Sequence, residues 1–276
     1  MTRGQAVEIK ELEEVKVETI QGLPTRGLTR REILVPIATL VLMVLAWEAA
    51  VRAFQISPVI LPPPSAALLL IWKNPGLLLT HTYVTTQEIL LGFLLAVVVG
   101  LAFAVVMIHS KLLSEALYPL LVLSQMVPKV AVAPLLLLWL GYGMLPKVVI
   151  AFTIAFFPIV INGVSGLTSI DPEMLDLLKV LKASRLQVLV KIRIKNSLPY
   201  LFDGLKIAIT LAVIGAVVAE FIGGESGLGY LIIASNATIN TAMMFAALIV
   251  LSALGMLLFA LIMVVEHFSI PWHFRQ

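Results

Sequence analysis

The chain has 276 residues, of which 60% are hydrophobic and 13% charged, and its mean hydropathy is +1.05. Soluble domains carry about 25% charged residues and about half apolar ones, so this composition excludes a soluble globular protein and predicts an all-α integral membrane protein. The net charge of +3 fits membrane topology better than nucleic-acid binding. Because the chain has no cysteine, disulfides, thiolate metal sites and a cysteine nucleophile are also excluded.

The first predicted segment is a polar tail, residues 1–30, which is rich in Glu and Lys and contains a basic cluster of Arg26, Arg30 and Arg31. It lacks the apolar run and the cleavage site of a secretory signal. We expect a solvated cytoplasmic tail, either disordered or a short surface helix, followed by a membrane domain over residues 31–276.

Six apolar runs follow the tail, each long enough for a spanning helix of about 20 residues. They cover residues 33–54, 86–108, 112–140, 144–167, 199–222 and 241–265. The third run is too long for one span and contains Pro119, Pro128 and Pro134, so it predicts a membrane-edge segment followed by a separate span. Proline clusters at residues 61–65 and 74–76 predict an irregular first loop.

The positions of Lys and Arg predict that both chain ends face the cytoplasm. With the N-terminus inside, the inner segments would hold eleven of these residues: Arg26, Arg30, Arg31, Lys111, Lys179, Lys182, Arg185, Lys191, Arg193, Lys195 and Arg275. The outer segments would hold three: Arg52, Lys73 and Lys147.

The stretch between the fourth and fifth runs, residues 169–198, predicts a helical hairpin. Asp171-Pro172 is typical of a helix start, and Ser184 can cap a second helix. Met174, Leu175, Leu178 and Leu181 share one predicted face, and Lys179 and Lys182 point away from it. A basic loop retained inside by its charge alone is the alternative interpretation.

This order of elements resembles the EAA loop of binding-protein-dependent ABC importer permeases, and among these the sulfonate, taurine and nitrate group. Further matching pieces run from residue 58 to residue 273: Leu61-Pro62-Pro63-Pro64-Ser65, Pro134-Leu135-Leu136, Trp139-Leu140-Gly141, Phe157-Pro158-Ile159 with Asn162, Ala219-Glu220, Gly227-Leu228-Gly229-Tyr230 and Pro271-Trp272-His273. The chain departs from the family pattern in three places. Asp176-Leu177-Leu178 replaces Glu-Ala-Ala, Lys182 replaces a glycine, and Lys195 replaces a common proline.

The resemblance implies a type I ABC importer permease fold with about six spans in the inner membrane of a prokaryote. It implies a subunit without catalysis or cofactors of its own, which moves a small solute of the sulfonate, taurine, nitrate, bicarbonate or vitamin-precursor type by alternating access. The implied partners are an ATPase subunit that holds ATP and Mg, an extracytoplasmic binding protein and a second permease copy, a homodimer being favoured over a different second permease. The implied ATPase-coupling residues are Met174, Leu175, Asp176, Leu178, Lys182, Ala183, Ser184 and Arg185.

Pathway candidates are the few polar residues of the apolar runs: Gln125, Lys129, Asn162 and Glu220. Lys129 follows the break at Pro128 and either attracts an anion or reaches a membrane surface. Glu220 is a pathway or a packing residue, whereas Glu48 and Lys206 are expected to extend to the span ends.

The glycine-rich residues 223–229 predict a re-entrant turn, because no Gly-Lys-Ser/Thr follows them. The four histidines show no metal-ligand spacing.

A stand-alone secondary transporter or channel is the alternative function. Such proteins commonly have intramembrane carboxylates and an inverted repeat. This chain has few buried charges, and its only internal sequence similarity is the short match of residues 126–130 to residues 144–148. A membrane enzyme ranks third, because no catalytic grouping of Ser, His and acid is present.

Overall fold

The computed structural model describes residues 30–170 and 172–272. All regular secondary structure in these two ranges is helical. The helices are α1 Arg30–Ala53, α2 Pro64–Lys73, α3 Pro75–His109, α4 Lys111–Gln125, α5 Lys129–Leu140, α6 Met144–Thr168, α7 Pro172–Val180, α8 Arg185–Val188, α9 Ile194–Gly223, α10 Leu228–Ala237 and α11 Thr241–Ser269. A π-helical turn, Leu189–Arg193, joins α8 to α9. The predicted tail lies outside the described residues, apart from Arg30, which begins α1.

Five helices in the described ranges are long and apolar enough to cross a membrane, namely α1, α3, α6, α9 with its π-helical extension, and α11. The pair α4 and α5 provides a sixth span if the two are counted together, and the helices are bent by 94° to each other. The break falls at residues 126–128, where Pro128 has no N–H to continue the helix ladder. The predicted break in the third apolar run is therefore confirmed, but the separate span predicted after it is wrong, because α5 has 12 residues and a span needs about 20.

The core of the bundle is α6, which packs between α3 and α9. The backbones of α6 and α9 approach closely at Gly166, Gly204 and Gly215. A Cβ at Gly204 would lie 2.8 Å from the Cβ of Asn162, and one at Gly215 would lie 2.7 Å from the Cα of Ala151. Small residues allow such contact between spanning helices. We call this line of contact the α6–α9 seam.

The prediction of an irregular first loop is wrong over residues 64–73, because this segment forms α2. Pro64 lies at the first position of the helix, where a missing N–H costs no hydrogen bond, so the proline cluster starts the helix. The Glu48 carboxylate of α1 accepts the Ser65 backbone N–H at 3.0 Å and also pairs with Arg52. Glu48 thus caps α2 instead of extending alone to the membrane edge.

Candidate functional site

The hairpin after α6 turns at Lys182, which has a φ of 53°. The Ala183 N–H donates to the carbonyl of Leu178 at 3.0 Å, across the end of α7. This bond and the left-handed residue before Ala183 define a Schellman C-cap, in which glycine is the usual residue. Lys182 therefore stands in a backbone conformation that an L-residue adopts at a cost.

The second arm of the hairpin starts with a capping box. The Gln187 N–H donates to Ser184 Oγ at 3.2 Å, and the Ser184 N–H donates to Gln187 Oε1 at 2.9 Å. The predicted cap at Ser184 is confirmed. The arm is not a separate helix, however, because the π-helical turn carries the chain into α9 before Pro199 is reached.

Two side chains fix the second arm to the end of α6. The guanidinium of Arg193 donates to the carbonyl of Leu167 at 2.8 Å, and the amide of Asn196 donates to Ser169 Oγ at 3.0 Å. Helix ends leave carbonyls without partners, and Arg193 satisfies one of them. Displacement of the hairpin would therefore act on α6 as well as on α9.

An apolar stripe is exposed on α7 and at its end, formed by Met174, Leu177, Val180 and Leu181, which are 47%, 57%, 79% and 66% exposed. The predicted face is thus partly wrong, since Leu178 is half-buried whereas Leu177 and Val180 are exposed. Of the other expected coupling residues, Asp176, Lys182 and Ser184 are exposed and Ala183 is half-buried. The side chains of Leu175 and Arg185 lie outside the described part.

At the opposite end of α6, a buried ion pair joins two spans. Lys147 Nζ lies 2.7 Å from Glu88 Oε1, and the two side chains are 5% and 1% exposed. The same ammonium donates to the carbonyl of Ser226 at 3.2 Å. Sequence reasoning placed Lys147 in an outer segment and overlooked Glu88, although the signal was present: an acid and a base each within an apolar run.

Glu220 lies next to this ion pair and is also buried. Its Oε1 accepts from Thr85 Oγ1 at 2.7 Å, and its Oε2 accepts from the Gly229 N–H. Thr85 Oγ1 in turn accepts the Leu228 N–H at 2.7 Å. Side chains of α9 and α3 therefore cap the first turn of α10, which Gly227 cannot cap itself. Glu220 holds the turn before α10 in place.

The remaining candidates lie elsewhere in the bundle. Gln125 is exposed at the last position of α4, beside the break. Asn162 is half-buried on the α6–α9 seam, where its amide donates to the carbonyl of Pro158 at 2.8 Å. Lys206 does not extend alone to a span end as expected, because it pairs with Glu266 at 2.8 Å and Asp203 at 3.1 Å.

Lys129, at the first position of α5, folds back over α6. Its Nζ lies 4.2 Å from the ring centroid of Phe157, a cation–π contact. Within the described ranges no carboxylate lies within 4.0 Å of this ammonium.

These features define a multi-pass membrane protein with an exposed helical hairpin at one end. Residues 89–268 match the family model described as "Binding-protein-dependent transport system inner membrane component". The chain belongs to this family and is a permease subunit of an ABC importer, which decides against a stand-alone transporter or a membrane enzyme.

Named relatives agree with this assignment. A probable ABC transporter permease of Haemophilus influenzae is 38% identical over 87% of this chain and 95% of its own length. The formylaminopyrimidine transport permease protein ThiX of Halalkalibacterium halodurans is 35% identical over 86% and 94%. An inward-facing structure of the MetNI methionine ABC transporter has a TM-score of 0.62 at 18% identity, and the match covers 70% of this chain and 95% of that one. Its likeness confirms the type I importer permease fold.

Proposed function

We propose that two copies of this chain form the membrane pathway of an importer in the cytoplasmic membrane of a prokaryote. The hairpin end of the bundle faces the cytoplasm, and a binding protein delivers the solute at the opposite end. The excess of Lys and Arg in the sequence segments expected inside, eleven against three, supports this orientation, because cytoplasmic segments near spans are rich in these residues.

A separate ATPase subunit, which holds ATP and Mg, docks on the hairpin. The exposed apolar stripe of α7 is the observation that carries this proposal, since a solvated loop has no need of four large apolar side chains in one row. The contact would also include Asp176, Ala183 and Ser184 around the hairpin turn, together with Lys182, which replaces the usual glycine. Leu175 and Arg185 remain predicted coupling residues.

Motion of the ATPase reaches the spans through the second arm. Arg193 and Asn196 hold this arm to α6, and the π-helical turn continues into α9 without interruption. Alternating access then follows from a rigid-body displacement of α6 and α9 relative to the other spans. Glu220 moves with α9 and carries the turn before α10.

The cargo is a small solute of the kind that the relatives are named for, among them formylaminopyrimidine, aliphatic sulfonates and taurine. Gln125 and Lys129 border the break between α4 and α5, where helix backbone is interrupted within the membrane. Interrupted helices are tolerated at that depth where they line a cavity or are buried in protein. We therefore place the pathway beside this break, with Asn162 as a further candidate, whereas the buried Glu220 acts as a packing residue that holds the turn before α10.

Replacement of Leu177 by Asp tests the docking proposal. A charge buried at the contact without a partner costs several kcal/mol, so the variant should insert normally but lose the ATPase subunit on purification. Val59→Asp is the matched control for ATPase association, because Val59 is 55% exposed in the connection at the opposite end of the bundle. Wild-type ATPase association and substrate-stimulated hydrolysis in Leu177→Asp would disprove docking on this stripe.

A further inference from the structure

We propose that Lys129 is an anion-binding residue within the membrane, which meets a negatively charged group of the cargo as it passes the break between α4 and α5. This rests on the proposed transport role and adds the chemistry of one site in the pathway.

The contact with Phe157 shows how deep in the membrane the Lys129 ammonium lies. This residue is the fourteenth of the 25 residues of α6, so it lies about 20 Å along a helix of about 37 Å. A helix that crosses a hydrocarbon core of about 30 Å places such a residue near the middle of the membrane. Since the Lys129 Nζ lies 4.2 Å from the Phe157 ring, the charge is far from both headgroup layers. An anionic lipid headgroup is thus not its partner.

The charge has no anionic partner in the described part of the chain. Two lysines of the long helices, Lys147 and Lys206, do have such partners: Lys147 pairs with Glu88, and Lys206 pairs with Glu266 and Asp203. Among the described residues, the Phe157 ring alone offsets part of the Lys129 charge, and a cation–π contact is worth less than the removal of a lysine charge from water costs.

The position of Lys129 in its own helix makes the imbalance larger. A helix carries partial positive charge at its amino end, so a lysine at the first position of α5 is electrostatically unfavourable for the helix. Lys129 thus destabilises its helix and is costly to bury in the membrane, and it has no counter-ion among the described residues. Such a residue is expected where a ligand binds. The ligand that relieves both costs is an anion.

The absence of native cysteine allows a direct measurement of the local charge. Single cysteines are introduced at Gln125 or Met126, two exposed residues at the break, in the assembled importer in membrane vesicles. Each is treated with a sulfonatoethyl methanethiosulfonate, which is a small sulfonate anion, and with the cationic trimethylammonium analogue. A positive potential in a water-accessible site speeds the reaction of the cysteine with the anionic reagent and slows its reaction with the cationic reagent.

The expected result is a faster reaction with the sulfonate reagent, and a fall of about tenfold in the anion-to-cation rate ratio when Lys129 is replaced by Met. Lys129→Arg should preserve the ratio. Lys73→Met removes an exposed cation from the last turn of α2 and should leave the ratio unchanged. If the break cysteines react with neither reagent, or if Lys129→Met leaves the ratio as it is with the native lysine, the proposal is wrong. The readout needs no ATP hydrolysis, so it does not depend on the docking experiment.

Discussion

Glu88 and Lys147 form an ion pair of 2.7 Å that joins α3 to α6 inside the bundle, with both side chains buried. Loss of one partner leaves an uncompensated buried charge, so Lys147→Met should lower the free energy of unfolding by about 3–5 kcal/mol. The double variant Glu88→Gln with Lys147→Met should recover much of this loss, because it removes both charges. Thermal unfolding in detergent measures both effects.

The matched control for this pair is Arg52→Met. Arg52 pairs with Glu48 at 2.6 Å, but its side chain is 70% exposed. Exposed pairs contribute about 0–1 kcal/mol, so this variant should change stability little. A double variant as unstable as Lys147→Met alone would show that the site depends on something other than charge balance.

Gly227→Ala should destabilise the turn before α10. Gly227 has a φ of 111°, and a Cβ there would overlap the Glu220 carboxylate that caps the helix. Left-handed backbone costs about 1–3 kcal/mol in non-glycine residues, and displacement of the carboxylate adds to this. Gly76→Ala is the control, since its Cβ would meet nothing within 4 Å. Equal melting temperatures for the two variants would contradict the role of Glu220 in this turn.

Lys182→Gly should stabilise the hairpin by about 1 kcal/mol, because glycine adopts the φ of 53° without steric cost. Slower hydrogen exchange at the Ala183 amide, which donates to Leu178, reports the change locally. Lys182→Ala removes the same charge but keeps the strained backbone, and should give no such gain. If protection of the Ala183 amide from hydrogen exchange increased equally in both variants, the stabilisation would come from loss of the Lys182 charge and not from relief of the backbone strain.

Single cysteines test the orientation. Glu225→Cys, in the exposed turn before α10, should react with an impermeant thiol reagent added to intact cells, whereas Ser184→Cys at the hairpin should react only after the cells are opened. The distribution of Lys and Arg gives this expectation. Labelling of Ser184→Cys in sealed cells would reverse the topology.

The spans could be predicted from sequence because each depends on a local run of apolar residues, and the break at Pro128 because it depends on one missing donor. The cap at Ser184 is equally local. The Glu88–Lys147 pair could not be predicted, since its partners are 59 residues apart and meet only through the packing of α3 on α6. The exposed face of α7 was predicted in part, because attachment of the hairpin to α6 decides which side of the helix remains open.

The α6–α9 seam has a mechanical consequence. Its contacts extend from Ser197 beside Gly166 to Gly215 beside Ala151, which is about 27 Å along α9. Two rods in contact over that length resist bending far more than one, so a tilt applied at the hairpin is not absorbed by flexing on the way. The opposite end of α9, where Glu220 caps the turn before α10, is displaced sideways instead. The two helices α6 and α9 therefore act together as a lever, and the glycines make it stiff by allowing the two backbones to pack closely.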